Sequence, residues 1–176
     1  PALDKISIPA LSEFKVDAEW QEQIYHPERL FMDGLFRSVD QLAALDEDSL
    51  VTVVQWRPGR EFFKGRTYPE FATPVVIMDA VFQTGGILEF FTSADVMLPY
   101  AIGKVSFAGA VLPETPYFCV TRRMAQDSDT KTYHMQLADT SGRVIIDIKD
   151  FQMVRVDHLT EENRPAMPML VDMATA

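Results

Sequence analysis

Thr73-Pro-Val-Val-Ile-Met-Asp-Ala-Val-Phe-Gln-Thr-Gly-Gly-Ile-Leu-Glu-Phe-Phe91 is the longest helical pattern in the sequence. Thr73 is a good helix N-cap, and Pro74 suits the first helical position, where a missing N–H costs nothing. The apolar residues that follow surround the helix instead of forming one stripe. Such a helix would be roughly 27 Å long, enough to cross a small domain. A helix apolar on every side is either wrapped by protein or spans a membrane. Asp79, Glu89 and the strand-like sequence on both flanks argue against a span. The stretch therefore predicts a buried central helix wrapped by a sheet.

Asp79 is its informative residue. It lies in the second turn, too deep for an N-cap, among Met78, Ala80, Val81 and Phe82. Gln83 follows one turn later, so carboxyl and amide share a face that Gly86 and Phe90 continue. Apolar surroundings predict a raised carboxyl pKa, because desolvation disfavours the charged form. Groups of this kind collect at functional sites, although a buried ion pair or a bond to a neighbouring loop has the same signature.

Composition bounds the function. The 176 residues suit one domain with flanking segments, and 47% hydrophobic with 24% charged is ordinary for a soluble globular chain. A formal charge of −10 and a pI near 4.7 argue against nucleic acid or an anionic membrane as partner. The single cysteine, Cys119, sits in a strand-like run with no His nearby in sequence. It reads as a small buried apolar group in a reducing, cytoplasmic setting. No signal peptide or membrane segment is expected, and no metal or bound cofactor. Opening on Pro1 and ending in Met-Ala-Thr-Ala, the sequence reads as a piece of something larger.

Outward from the helix, residues 1–24 read as an N-terminal arm or linker that includes a short helix around Val16 to Tyr25, with Trp20 and Ile24 four apart. Leu30 to Leu42 has mixed periodicity, broken at Gly34. Ser49 to Trp56 reads as a strand, and Arg57-Pro-Gly-Arg60 as a turn. Tyr100–Leu112, Tyr117–Ala125, Thr132–Ala138 and Arg143–Val156 are β-branched or aromatic runs, the last pair joined by Asp139-Thr-Ser-Gly142. Residues 25–157 thus form the domain, and 158–176, with Pro165 and Pro168, a C-terminal linker. One long apolar helix followed by antiparallel strands is an α+β pattern, with the sheet curled around the helix.

These residues reach a family. Thr73-Pro-Val-Val-Ile-Met-Asp-Ala-Val-Phe-Gln83 resembles the Pro-x-x-x-x-Asp-x-x-x-Gln segment of polyketide synthase dehydratase domains. Leu98-Pro-Tyr-Ala-Ile-Gly-Lys-Val-Ser-Phe107 is similar to the Leu-Pro strand that follows it there. Leu30-Phe-Met-Asp-Gly-Leu-Phe-Arg-Ser-Val39 resembles the opening of those domains' second half, while Asp139-Thr-Ser-Gly-Arg-Val144 and Phe151-Gln-Met-Val-Arg-Val156 also fit. The resemblance covers Tyr25 to Val156. It implies a double hot-dog fold and removal of water from a 3-hydroxyacyl chain on an acyl carrier protein's phosphopantetheine arm. A His of the first hot dog takes the α-proton there, and an Asp of the second helps the hydroxyl leave. Asp79 matches that Asp, and Gln83 the residue that positions it.

The departures are equally specific. Nothing here matches the family's His-x-x-x-Gly-x-x-x-x-Pro motif, and Met32, Asp33 and Gly34 stand where His-Gly-Pro is usual. His26, His134 and His158 lack the catalytic context. The resemblance therefore implies half of an active site. It leaves three readings: the second hot dog of a dehydratase in a polyketide or polyunsaturated fatty acid synthase, a non-catalytic acyl-binding or structural module, and a hot-dog thioesterase. Expected partners are acyl carrier protein, other synthase domains, and a second hot dog, most simply another copy.

Overall fold

The structure, a computed structural model, describes residues 3–9, 17–30, 32, 34–57 and 75–166. Its centre is helix α2, Val75–Thr92; the expected cap and first turn, Thr73 and Pro74, lie outside the described residues. By length and composition α2 could cross a membrane, yet here it is a core helix: every residue from Ile87 to Phe91 is buried. Leu88 is fully buried and Phe82, half-buried, stacks on Phe151 with ring centroids 4.9 Å apart. Val75, 36% exposed, marks the open start of the helix.

Six antiparallel strands wrap it: β1 Val39–Leu45, β2 Ser49–Gln55, β3 Asp95–Phe107, β4 Pro116–Gln126, β5 Thr130–Ala138 and β6 Val144–His158, in the order β1-β2-β4-β5-β6-β3. Alternation gives the inward face. Tyr133, Met135 and Leu137 of β5, and Ile146, Ile148, Phe151 and Met153 of β6, are buried in the core that also takes Val76, Ile77 and Val81 from α2. The extra residue near Asp150, whose φ is 55°, keeps Ile148 and Phe151 on the same face. The sheet packs closely on the helix at Gly85: a Cβ there would lie 2.6 Å from the Met153 sulfur and 2.9 Å from the Met135 methyl. Gly86, the glycine on the Asp79 face, meets only ordinary contacts. One helix wrapped by one curled antiparallel sheet is the hot-dog fold that the sequence predicts.

Three hairpins use one device. Asp46 Oδ1 accepts from the N–H of Asp48 and Ser49, Asp127 Oδ1 from Asp129 and Thr130, and Asp139 Oδ1 from Ser141 and Arg143. A short carboxylate thus satisfies the turn's orphan donors. Only the third was singled out in the sequence.

The differences from expectation have physical causes. β1 hides in the mixed stretch because register shifts between Val39 and Gln41, and between Leu42 and Ala44, erase its period of two. β3 begins at Asp95 instead of Tyr100, running through Pro99, which a sheet-edge strand tolerates. At the N-terminal boundary, helix α1, Ala18–Ile24, lies within the segment read as an arm, yet buries Trp20 and Ile24 in the core, with Trp20 stacked on Phe91 at 5.4 Å. At the other end β6 runs to His158 and Leu159 is buried, so ordered structure passes residue 157. Residues 3–9 are tied to the last hairpin by Ile6 N–H donating to the Gly142 carbonyl at 2.9 Å.

Candidate active site

Asp79 and Gln83 sit one turn apart on α2, and Gln83 reaches the segment between α1 and β1. Gln83 Nε2 donates to Asp79 Oδ2 at 2.5 Å and to the Phe36 carbonyl at 2.9 Å. Gln83 Oε1 accepts from the Tyr25 hydroxyl at 2.9 Å, and that hydroxyl oxygen accepts from Val39 N–H at 3.0 Å. Tyr25 follows the last residue of α1, where its own N–H closes the helix on Gln21; Phe36 ends a short 3₁₀ turn, Gly34–Phe36. The Arg37 guanidinium lies 5.0 Å from the Tyr25 ring centroid. The sequence predicts the Asp79–Gln83 pair. Tyr25, 58 residues from Gln83 with no pattern linking them, is visible only in the fold.

The electrostatics follow from burial. Desolvation raises the Asp79 carboxyl above its ordinary value, and the Gln83 hydrogen bond offsets part of that rise. Burial also pushes the Tyr25 phenol far above its usual range, so it stays protonated. Among the described residues only Gln83 hydrogen-bonds Asp79, through Oδ2. A half-buried carboxyl with one oxygen held and the other uncommitted can give or take one proton.

The histidines are elsewhere. His26 is exposed and its Nδ1 accepts from Glu28 N–H at 3.3 Å. His134 meets Asp147 Oδ1 at 2.7 Å on the sheet face away from α2, since its neighbours Tyr133 and Met135 point inward. His158 meets Asp95 Oδ1 at 3.1 Å. Cys119 is buried and its thiol is pushed up to about 11 by desolvation, which makes it a poor nucleophile. Among the described residues no three of His, Cys, Asp and Glu converge as metal ligands.

A second polar cluster closes the far end of α2. Glu89, fully buried, accepts from Arg123 at 2.9 Å, from the Tyr133 hydroxyl at 2.9 Å, from Ser93 at 2.7 Å and from Lys131. Lys131 also reaches Asp95 at 2.7 Å. Every member has a partner, so this network fixes the helix against β3, β4 and β5.

Residues 23–163 match the family model described as "Polyketide synthase dehydratase N-terminal domain". No match is found among curated proteins. Among solved structures, the dehydratase domain from the CurH module of curacin polyketide synthase is 19% identical with a TM-score of 0.63, covering 89% of this chain and 54% of that one. The dehydratase domain of PpsC from Mycobacterium tuberculosis, in complex with C12:1-CoA, is 18% identical with a TM-score of 0.63, covering 88% and 56%. A hypothetical thioesterase from Streptococcus pneumoniae TIGR4 with coenzyme A is 9% identical with a TM-score of 0.54, covering 68% and 88%. At such identities the likeness is one of fold, and the chain spans about half the length of the dehydratase structures it matches. By the family match over most of its length, the chain belongs to the polyketide synthase dehydratase family.

Proposed function

We propose that this chain is the acid-bearing half of a dehydratase that acts on 3-hydroxyacyl chains carried by the phosphopantetheine arm of an acyl carrier protein. The observation that supports it is Asp79: a half-buried carboxyl of raised pKa on the wrapped helix, held through one oxygen by Gln83. In the reaction a base removes the α-proton, the bond from C3 to the hydroxyl breaks as the C2–C3 double bond forms, and the hydroxyl leaves as water with the proton that Asp79 gives up. The base is a His of a second hot-dog half, since the chain's own histidines have other partners or lie in solvent. Assignment to the second half rests on Asp79 and Gln83, whereas the matching family model carries the name of the N-terminal domain.

Pairing follows from the sheet edge. β3 is an edge strand with Leu98, Tyr100, Ile102 and Phe107 exposed, and a second hot dog, either another copy or the His-bearing half, covers it. Light scattering of the isolated chain at high micromolar concentration is expected to show a dimer; a monomer there refutes self-pairing.

The test is mass-spectrometric detection of enoyl product from a 3-hydroxyacyl carrier-protein substrate. The chain alone is expected to be inactive, because losing the base removes about 10² to 10⁴ in rate. Addition of a His-bearing half restores turnover, and Asp79→Asn abolishes it. Turnover that survives Asp79→Asn overturns the reading. The likeness to the pneumococcal hypothetical thioesterase favours a second reading, hydrolysis of an acyl thioester, which free acid without enoyl product would establish. Absence of both products, even with the complement, leaves the non-catalytic module.

A further inference from the structure

We propose that Tyr25 is a positioning residue: by donating to Gln83 Oε1 it holds the amide with Nε2 against Asp79, and so confines the acid proton to Asp79 Oδ1. The inference rests on the acid role proposed for Asp79 and deepens it.

Hydrogen-bond direction fixes the arrangement. A backbone N–H can only donate, so Val39 N–H at 3.0 Å obliges the Tyr25 oxygen to accept. The Tyr25 proton must then go elsewhere. Gln83 Oε1 at 2.9 Å is well placed, whereas the Phe36 carbonyl at 3.5 Å is at the limit of a bond. With Oε1 thus engaged, Nε2 must face Phe36 and Asp79, and it donates to both. A flipped amide would set Oε1 against the Phe36 carbonyl and the Asp79 carboxylate and leave Tyr25 facing a donor. The chain Val39 to Tyr25 to Gln83 to Asp79 therefore runs one way.

Its consequence falls on Asp79. Oδ2 already accepts a hydrogen from Nε2, so the proton of the neutral acid resides on Oδ1, the oxygen without a partner among the described residues. A substrate hydroxyl is served from one oxygen in one direction. The ionisable groups facing this arrangement are Asp79 and Tyr25, with Asp40 beyond Tyr25 and the Arg37 guanidinium over the Tyr25 ring at 5.0 Å.

The test is NMR titration of the unmodified chain, Tyr25→Phe, Gln83→Met and the double variant, with the Asp carboxyl carbons and Gln side-chain amides labelled. Loss of the Tyr25 hydroxyl removes the donor that holds Gln83 Oε1, so the amide is less firmly held with Nε2 against Asp79, which favours the protonated acid. Asp79 is therefore expected to titrate at higher pH in Tyr25→Phe than in the parent. In the Gln83→Met background the same substitution should have no effect. Equal Asp79 titration in parent and Tyr25→Phe overturns the proposal, as does an equal shift in both backgrounds, which would mean packing alone. If Tyr25→Phe does not fold, the unmodified chain still decides. One Gln83 Nε2 proton must move as Asp79 titrates, and neither moving overturns it. None of these readouts needs turnover, so failure of this proposal is distinguishable from a missing enoyl product in the presence of the His-bearing half, which tells against the dehydratase reading.

Discussion

Glu89 offers the sharpest test of how the fold is held. Its carboxylate is fully buried and takes hydrogen bonds from Arg123, Lys131, Tyr133 and Ser93. Glu89→Gln keeps the volume, removes the charge and turns a donor toward one of these groups. Breaking a buried ion pair from one side typically costs about 3–5 kcal/mol, because the partner's charge stays buried. Two features place this case at the lower end. Lys131 keeps Asp95 at 2.7 Å, and Arg123 keeps Asp48 at 2.8 Å, although Asp48 is exposed and its attraction is screened. A loss of about 3 kcal/mol follows, a large share of the roughly 5–15 kcal/mol that holds a domain together. With a urea slope of about 2 kcal/mol per molar, the midpoint should fall by about 1.5 M. Arg143→Ala is the control: its 3.2 Å pair with Asp139 leaves the arginine 63% exposed, so about 0–1 kcal/mol is expected. Equal midpoint shifts for Glu89→Gln and Arg143→Ala would refute the reasoning and make the buried network energetically idle.

Three further outcomes are expected. Burial alone would raise the Asp95 carboxyl, but hydrogen bonds from Lys131, His158 and Ser93 outweigh it and hold it at about 2. Its contribution is therefore complete above the ordinary carboxyl value of about 3.9 and lost as pH falls through about 2, a loss that Asp95→Asn should abolish in acid-unfolding curves. Asp79 has the opposite sign: with its pKa raised, the native state binds the proton more tightly, so stability declines as pH rises from the ordinary carboxyl value through the raised one. Asp79→Asn should be more stable than the parent at neutral pH by urea unfolding, while dehydration with the complement is lost. Gly142→Ala should cost about 1–2 kcal/mol and speed exchange of the Ile6 amide, because φ is +81° and a Cβ would strike the Ile6 carbonyl oxygen. Unchanged Ile6 exchange would show that residues 3–9 do not depend on this turn.

By itself the sequence determined the central helix, most strands and the pair Asp79–Gln83, because each is encoded in local spacing. An all-round apolar run that carries Asp79 and Glu89 between strand-like flanks is wrapped by protein, Val144, Ile146 and Ile148 alternate, and residues four apart on a helix must share a face. The last hairpin was legible for the same reason, since Asp139 bonds its own near neighbours. Tertiary structure alone decided what comes from afar. β1 took its place because β2 pairs with it across two register shifts that local alternation could not survive. Trp20 and Ile24 became core residues because the inner end of α2 needed a cover that the sheet does not supply. Glu89, in sequence an acid with no basic residue beside it in an apolar run, acquired its meaning from Arg123 and Lys131, 34 and 42 residues away. Tyr25 did so likewise, for the direction of a hydrogen-bond chain is set by which donors the fold brings together, and local spacing holds no record of that.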